Sequence, residues 1–454
     1  MIEIPTVKLP KGRVFQAPLE LDELFDDVEI EISPRWMGQK VRKGDMYMEI
    51  GGPKHEYTSY IHCDVAKEES DIEDGRIELI GPEIDEIEPG SSFAFGVWLR
   101  FWGPQLNDDH IDPLIRVGFR PFEDGEGWML VNTRDTIWIR LNNESAHKNS
   151  WRQMGQALLG NTKINFPLVE KAEALIIIGS PEVGGVDLIR DILDTRIRPD
   201  WEAYDARMMG VEDEDVDTFY GCTVCQTFAP NHVCCITPQR NPYCGIMSYL
   251  GAKAVVEIDP YGYSFAIPKG ECLDAESGRY TGVDQAIYER SSRRVSKINL
   301  YSSLKYPQTN CGCFEAAAFY IPELDGIGLV DRRHPGDTPI GVNFSKMAGY
   351  MSGGNQNHGS MGLSARTPKS KKFLQGDGGW TRIIWMPKEY KVLLADCIPE
   401  EIYDKIATED VGIDTQAIKE FLIEAKHPIV KNFWKDGEPV PMKMPKPNED
   451  WPIE

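Results

Sequence analysis

The chain has 454 residues, with 49 Lys and Arg against 72 Asp and Glu, which gives a net charge of −23. At roughly 150 residues per domain, this length predicts two or three domains, each able to bury its own core. Hydrophobic residues make up 41% of the sequence, so we exclude disorder as its main state. Because so negative a protein repels phosphate backbones, we expect no nucleic-acid partner.

Nothing in the sequence predicts secretion or membrane insertion. Residues 1–12 lack a basic region followed by an apolar one, as a secretory signal would have. Apolar runs such as 174–178 are far shorter than the roughly 20 residues of a membrane helix. We therefore expect a soluble cytoplasmic protein.

Short strand candidates, separated by Gly, Pro and acidic turns, dominate the first 120 residues. Residues 28–32 and 45–50 alternate with the period of two that is typical of a half-buried strand. Three further strands are predicted where β-branched or aromatic residues are bounded by turn residues, at 57–63, 76–80 and 92–100.

Helical patterns begin after residue 142. We predict helices at 143–159 and 185–193, with a buried strand at 172–178 between them. The glycine-rich turn at 179–185 lacks the spacing of a nucleotide-binding loop, so an ordinary α/β turn is favoured over a phosphate site. The polar segment 198–217 is a candidate domain boundary.

The second half mixes helices and strands without regular alternation. We predict a long helix at 283–304, strands at 329–331 and 382–386, an extended loop at 351–379 and helices over 388–425. Such a mixture is typical of α+β domains. The sequence therefore predicts two successive mixed α+β domains, 1–197 and 198–454.

Eight of the ten cysteines lie between residues 222 and 313, and in a reducing cytosol such crowding favours metal binding over disulfides. Cys222, Cys225, Cys234 and Cys244 can supply four thiolates to a zinc ion or a 4Fe–4S cluster. Their unequal spacing, C-x2-C-x8-C-x9-C, favours the cluster. Cys235 leaves the third ligand ambiguous, since either it or Cys234 could serve.

The second cysteine group is the motif Cys311-Gly312-Cys313. Its two thiolates and the amide nitrogens of Gly312 and Cys313 can wrap one metal in a planar chelate, which suits Ni(II) rather than Zn(II). Gly312 has no Cβ to obstruct the flattened turn. Taken alone, the motif favours the simpler alternative of two buried or redox-active cysteines around a turn.

Together, the two groups resemble the A-cluster signature of acetyl-CoA synthases. The flanking segments 225–234, 311–316, 378–379 and 382–388 carry the same resemblance, which covers most of the chain and is densest over 220–390. In size the chain is similar to the β subunit of the archaeal acetyl-CoA decarbonylase/synthase complex. We expect it to lack the N-terminal domain with which bacterial relatives dock CO dehydrogenase.

The resemblance implies a ligand for each metal. Cys222, Cys225, Cys234 and Cys244 would hold a 4Fe–4S cluster, which leaves Cys235 outside it.

Two nickel ions are implied beside that cluster. Cys311, Gly312 and Cys313 would chelate a distal nickel, and the sulfurs of Cys225, Cys311 and Cys313 would share a proximal, catalytic one. Phe228 matches an aromatic residue that lines the pocket for the gas ligand, although plain core packing is the alternative. His232, inside the cluster motif, is expected to be structural.

The implied activity is that of an acyltransferase. It would assemble acetyl-CoA reversibly from CO, CoA and a methyl group donated by a methylated corrinoid iron–sulfur protein, with CO dehydrogenase subunits as further partners. One alternative is a non-catalytic iron–sulfur subunit that transfers electrons or serves as a scaffold, and a weaker one is a structural zinc protein. Neither alternative needs the C-G-C motif.

The phosphates of CoA need cationic contacts, which an acidic protein must concentrate locally. In this family an arginine-rich patch near a Trp of the first domain is associated with CoA, and Trp138 could stack on the adenine. The basic run around Lys371 is the competing patch. The predicted CoA contacts are Arg116, Arg120, Arg134, Trp138, Arg140 and Arg152.

Overall fold

A computed structural model describes residues 7–17, 41, 43–52, 54–55, 57–123, 128–131, 134, 137–245, 247–364 and 366–451. The strand predicted at 28–32 lies outside these residues. Mixed helices and strands confirm the predicted α+β class. Within the described ranges, no helix combines the length and the apolar character needed to cross a membrane.

The chain separates into two compact units, of which unit 1 ends at Arg207 and unit 2 begins at Met208. The boundary predicted from the sequence lies ten residues earlier in the chain. Each unit is built around its own sheets and its own apolar core.

Unit 1 contains a five-stranded sheet with the order β1-β4-β9-β6-β3. The central strand pairs in parallel with one neighbour and antiparallel with the other, and seven of its eight residues are buried. A strand that is covered on both faces is apolar along most of its length. The strand predicted at 172–178 is correct for this reason. The five strands are β1 (Arg13–Gln16), β3 (Tyr60–Val65), β4 (Arg76–Ile80), β6 (Phe95–Trp102) and β9 (Lys171–Ile178).

A second sheet of unit 1 has the order β5-β2-β8-β7. Its strands are β2 (Met46–Gly51), β5 (Ser91–Phe93), β7 (Trp128–Val131) and β8 (Ile137–Asn142). The strand predicted at 92–100 is thus two strands, β5 and β6, in different sheets.

The helix predicted at 143–159 is interrupted. Ser150 accepts a hydrogen bond from the amide of Gln153 and so caps a new helix where continuation was expected. The helices up to the boundary are α1 (Ile111–Glu123), α2 (Asn143–Lys148), α3 (Trp151–Asn165), α4 (Gly185–Ile192) and α5 (Arg198–Met209).

Unit 2 contains a three-stranded antiparallel sheet with the order β11-β10-β12 and a four-stranded sheet with the order β17-β15-β16-β18. A separate hairpin pairs β13 with β14. The strands are β10 (Thr218–Cys222), β11 (Cys234–Ile236), β12 (Ser264–Pro268), β13 (Cys272–Asp274), β14 (Arg279–Tyr280), β15 (Ala316–Ile321), β16 (Gly326–Asp331), β17 (Ser360–Leu363) and β18 (Ile383–Trp385).

Two predictions for unit 2 are wrong. The helix expected at 283–304 ends at Arg290, because Ser292 and Arg293 adopt positive φ angles that no α-helix accommodates. The extended loop expected at 351–379 contains β17. The helices of unit 2 are α6 (Tyr249–Ile258), α7 (Thr281–Arg290), α8 (Phe344–Met351), α9 (Lys388–Leu393), α10 (Glu400–Tyr403), α11 (Thr415–Glu424) and α12 (Pro428–Asn432).

Candidate metal centre

The pairing of β10 with β11 places two predicted ligands side by side. Cys222 ends β10 and lies directly opposite Cys234, the first residue of β11. Opposite residues of an antiparallel pair project from the same face of the sheet. The next residue, Cys235, projects from the other face and packs in a different apolar cluster with Phe219 and Val233. The structure therefore brings Cys234, and not Cys235, to Cys222.

The other two cysteines of the first group lie close to this pair. Cys225 is carried by the short 3-10 helix Val224–Thr227, which follows β10. Burial raises the pKa of the Cys234 thiol well above its usual value, and the neighbouring thiols of Cys222, Cys225 and Cys244 raise it further. Four thiols are thus gathered beside the end of β10.

The C-G-C motif forms a turn shortly before β15. Cys311 is buried, and the amide of Cys313 donates a hydrogen bond to the Cys311 Sγ at 3.3 Å. Gly312 has a φ of +118°, a conformation that favours glycine. The Sγ atoms of Cys225, Cys311 and Cys313 all lie within 4.8 Å of one another. Sulfurs from two distant parts of the sequence therefore converge.

This donor set fits a metal centre. Hydrogen bonding with Cys225 and Cys313, together with burial, raises the pKa of the Cys311 thiol well above its usual value. Clustered buried thiolates repel one another unless a cation lies between them, and a bound metal supplies that charge. The first group fits an iron–sulfur cluster, and the thiolates and amide nitrogens of the turn fit nickel.

Phe228 follows the short helix that carries Cys225, and its side chain is 53% exposed. Core packing is therefore the wrong explanation for this aromatic residue. An exposed ring beside the cysteine loop remains compatible with a pocket for a small apolar ligand.

His232 is buried, as expected of a structural histidine, and it contacts a predicted ligand. Its Nδ1 lies 3.0 Å from the Thr309 Oγ1, and its Nε2 lies 3.0 Å from the Cys234 Sγ. Burial lowers the pKa of His232 to about 3, so the imidazole is neutral at ordinary pH. Gln308 also reaches the Cys234 Sγ, at 3.5 Å. Sequence motifs do not single out Gln308 or Thr309, although their position just before Cys311 was an available signal.

Two of the predicted CoA contacts lie together on β8. The guanidinium of Arg140 lies 4.5 Å from the centre of the Trp138 ring. Both side chains donate to the same Oε2 atom of Glu49, Trp138 at 2.9 Å and Arg140 at 2.7 Å. Glu49 thus neutralises Arg140 and holds it over one face of the ring.

Arg134 is held elsewhere in unit 1. Its side chain is only 7% exposed and pairs with Asp112 at 3.3 Å and Asp205 at 3.0 Å. The guanidinium lies 4.9 Å from the centre of the Tyr204 ring and borders a cavity of about 460 Å³. These contacts give Arg134 a structural role in unit 1.

The remaining CoA candidates lie on helices. Arg152 is exposed on α3, with its guanidinium 5.5 Å from the centre of the Phe15 ring. Arg116 is half-buried on α1. Arg120 is on the same helix, but its side chain is outside what the structure describes. The candidates whose contacts are given, Arg134, Trp138, Arg140 and Arg152, thus lie against three different sets of neighbours.

The competing basic run is neutralised by carboxylates of unit 2. Its lysines pair with acidic residues, two of which come from the polar segment predicted as a boundary. The pairs are Lys369 with Asp396, Lys371 with Glu212, and Lys372 with Glu214.

Comparisons with known proteins agree with the resemblance seen in the sequence. The family described as the C-terminal part of the ACS/CODH beta subunit matches residues 201–432. The family described as the CO dehydrogenase/acetyl-CoA synthase complex beta subunit matches residues 28–183.

Curated relatives match over most of their length. The acetyl-CoA decarbonylase/synthase complex subunit beta 2 of Methanocaldococcus jannaschii is 42% identical, over 91% of this chain and 86% of the relative. The beta subunit of Methanopyrus kandleri is also 42% identical, with the same shares covered. That of Archaeoglobus fulgidus is 38% identical, over 97% of this chain and 82% of the relative. The chain therefore belongs to the family of CO dehydrogenase/acetyl-CoA synthase complex beta subunits.

Proposed function

We propose that this protein is an acetyl-CoA synthase, an acyltransferase that reversibly assembles acetyl-CoA from CO, CoA and a methyl group of a methylated corrinoid iron–sulfur protein. The observation that carries the proposal is the convergence of the Cys225, Cys311 and Cys313 sulfurs within 4.8 Å. A subunit that only transfers electrons needs the first cysteine group and has no use for the second. Membership of the family supports the same conclusion.

The proposed cofactors are a 4Fe–4S cluster and two nickel ions. When bound, they supply an electron-rich metal on which methyl and carbonyl groups can be joined and passed to the CoA thiolate. The proposed ligands are Cys222, Cys225, Cys234 and Cys244 for the cluster, Cys225, Cys311 and Cys313 for the proximal nickel, and Cys311, Gly312 and Cys313 for the distal nickel.

The residues of the chain contribute position rather than acid or base chemistry. Cys225 is a proposed ligand of both the cluster and the proximal nickel. Because it is shared, the loop after β10 and the turn before β15 would hold the cluster and the nickel at a fixed separation. Such positioning replaces a bimolecular encounter by a reaction between held groups. The exposed ring of Phe228 is the proposed apolar wall that excludes water from the gas ligand.

The family and the chemistry of the reaction suggest the partners. We infer a cytoplasmic protein that acts with CO dehydrogenase subunits as the source of CO and with the corrinoid protein as methyl donor.

CoA is proposed to bind unit 1, with exposed Arg152 as a phosphate contact. A charged hydrogen bond of this kind is worth roughly 1.5 kcal/mol, so Arg152→Ala should raise the KM for CoA about tenfold with kcat nearly retained. Arg190→Ala is the matched control, since Arg190 is an equally charged, exposed residue paired with Asp187. Equal KM values for the two variants would remove Arg152 from the CoA site.

Anaerobic assays of acetyl-CoA synthesis test the function itself. The Cys311→Ser variant should lose synthesis, because it removes a sulfur shared by both proposed nickel sites. Cys235→Ala is the matched control, since it removes a neighbouring buried thiol that lies outside the sulfur group. Full synthesis by the Cys311→Ser variant would contradict the proposed function.

A further inference from the structure

Two buried side chains point at one sulfur of the first cysteine group. The Nε2 of His232 lies 3.0 Å from the Cys234 Sγ, and the Nε2 of Gln308 lies 3.5 Å from it. Both side chains are almost completely shielded from solvent. Water therefore cannot replace either contact.

A chain of hydrogen bonds fixes the direction of the histidine contact. A thiolate at Cys234 can only accept, so the Nε2 of His232 must carry a proton and donate. The Nδ1 lies 3.0 Å from the hydroxyl oxygen of Thr309, which holds the ring in place. The Thr309 oxygen in turn accepts from the amide of Val233 at 3.4 Å. These contacts hold the imidazole with its Nε2 toward the sulfur.

The orientation of the Gln308 amide is fixed independently. Its Oε1 accepts from the amide of Cys235 at 2.8 Å and from the guanidinium of Arg240 at 2.9 Å. Two donors at one end require the carbonyl oxygen there, so the NH2 end must face the sulfur. Arg240 is itself anchored on the carbonyl oxygens of Cys235 and Leu300.

We infer that His232 and Gln308 are positioning residues whose two N–H···S hydrogen bonds to Cys234 raise the reduction potential of the iron–sulfur cluster held there. This inference rests on the cluster assignment in the proposed function. Reduction adds negative charge to the cluster and its sulfurs, so an N–H donor stabilises the reduced form more than the oxidised form. Gln308 lies three residues before Cys311, and the same contacts therefore tie the first cysteine group to the segment that leads into the C-G-C turn.

The test is a redox titration of anaerobically purified protein, followed by the EPR signal of the reduced cluster. His232→Phe removes one donor but keeps an aromatic ring against Tyr243, on which the imidazole stacks. Gln308→Met removes the other donor at similar volume. Each variant should shift the equilibrium about tenfold toward the oxidised form, which is about 59 mV for a one-electron couple.

Two further variants separate potential tuning from a merely structural effect. Tyr243→Phe removes a buried hydrogen bond to the Gln308 carbonyl, in the same network but not at the sulfur, and should leave the potential unchanged. His232→Gln keeps an N–H and should recover most of the shift. Unchanged potentials in both donor-deleting variants, at wild-type iron content, would overturn the inference.

The readout is independent of catalysis. The titration needs iron but neither nickel, CO nor corrinoid protein. If the variants show the predicted shifts while the wild-type protein makes no acetyl-CoA, the proposed function is refuted and this inference stands. Full synthesis by the wild type, together with unshifted potentials in the variants, would overturn this inference and leave the proposed function standing.

Discussion

Gly312 determines the shape of the C-G-C turn, because its backbone adopts a φ of +118°. Any residue with a Cβ is strained there, and that Cβ would lie 3.2 Å from the Cβ of Ser352. The backbone conformation therefore demands glycine between the two cysteines, and the space beside Ser352 is tight, in addition to the amide chemistry proposed for Gly312.

Replacing Gly312 by Ala should destabilise unit 2 by about 1–3 kcal/mol and reduce nickel binding, because the turn must move to relieve the strain. Metal analysis and urea unfolding measure the two effects. Gly349→Ala is the control, since Gly349 lies in helix α8 and a Cβ added there would have no neighbouring atom within 4 Å. Wild-type nickel content in the Gly312→Ala variant would show that the turn does not need this conformation.

Arg134 illustrates how a residue predicted to bind ligand can be structural. Arg134→Ala leaves Asp112, a fully buried carboxylate, without its guanidinium, and breaking such a pair costs about 3–5 kcal/mol. We therefore expect a large loss in the free energy of unfolding. Near wild-type stability together with a raised KM for CoA would instead identify Arg134 as a ligand contact.

At the scale of elements, the β10–β11 pair and the turn before β15 decide which sulfurs meet. Sequence spacing left Cys234 and Cys235 as alternatives, because spacing says nothing about strand register. The register, with Cys222 opposite Cys234, places Cys234 and Cys235 on opposite faces of the sheet.

Strand 172–178 was predictable from the sequence because burial on both faces leaves an apolar run. The helix predicted at 283–304 was not, since no sequence pattern indicated the positive φ angles that Ser292 and Arg293 adopt.

His427 joins the start of α12 to β18 through two hydrogen bonds that depend on pH. Its Nε2 donates to the Ile383 carbonyl of β18 at 3.0 Å, and its Nδ1 accepts from the amide of Ile429 at 3.1 Å, which caps α12. Burial, with a smaller contribution from the charge of Lys405, lowers the pKa of His427 to about 4. Protonation would remove the Nδ1 acceptor.

Because the unfolded chain binds this proton more readily, the contribution of His427 is complete above pH 6.5 and is lost as the pH falls toward about 4. The loss amounts to about 3 kcal/mol at most. Urea unfolding at about pH 7 and pH 5 measures the part lost over that range, about 2 kcal/mol, as the difference between the wild type and His427→Asn, a variant that keeps a capping acceptor without titrating. Parallel pH profiles for the two proteins would exclude this role.

At the scale of the whole molecule, charge is distributed in a way that composition alone does not reveal. The net charge of −23 implied that cationic contacts for CoA must be concentrated locally, yet Arg134 and Arg140 pair with carboxylates and Lys371, in the basic run, is paired as well. The spacing of the two cysteine groups indicated the proposed metal ligands because metal binding requires several thiolates close together. Gln308, a buried partner of Cys234, and Arg240, which orients Gln308, carry no such motif and emerge only when the chain is folded.

The central claim is that this fold holds a nickel–iron–sulfur centre at its converging cysteines. Metal analysis of anaerobically purified protein tests it most directly, with Cys311→Ser and Cys235→Ala analysed beside the wild type. We predict about two nickel and four iron per chain in the wild type and in Cys235→Ala, and retained iron with nickel lost in Cys311→Ser. Catalytically active protein that contains iron without nickel, or zinc in place of both, would contradict the account.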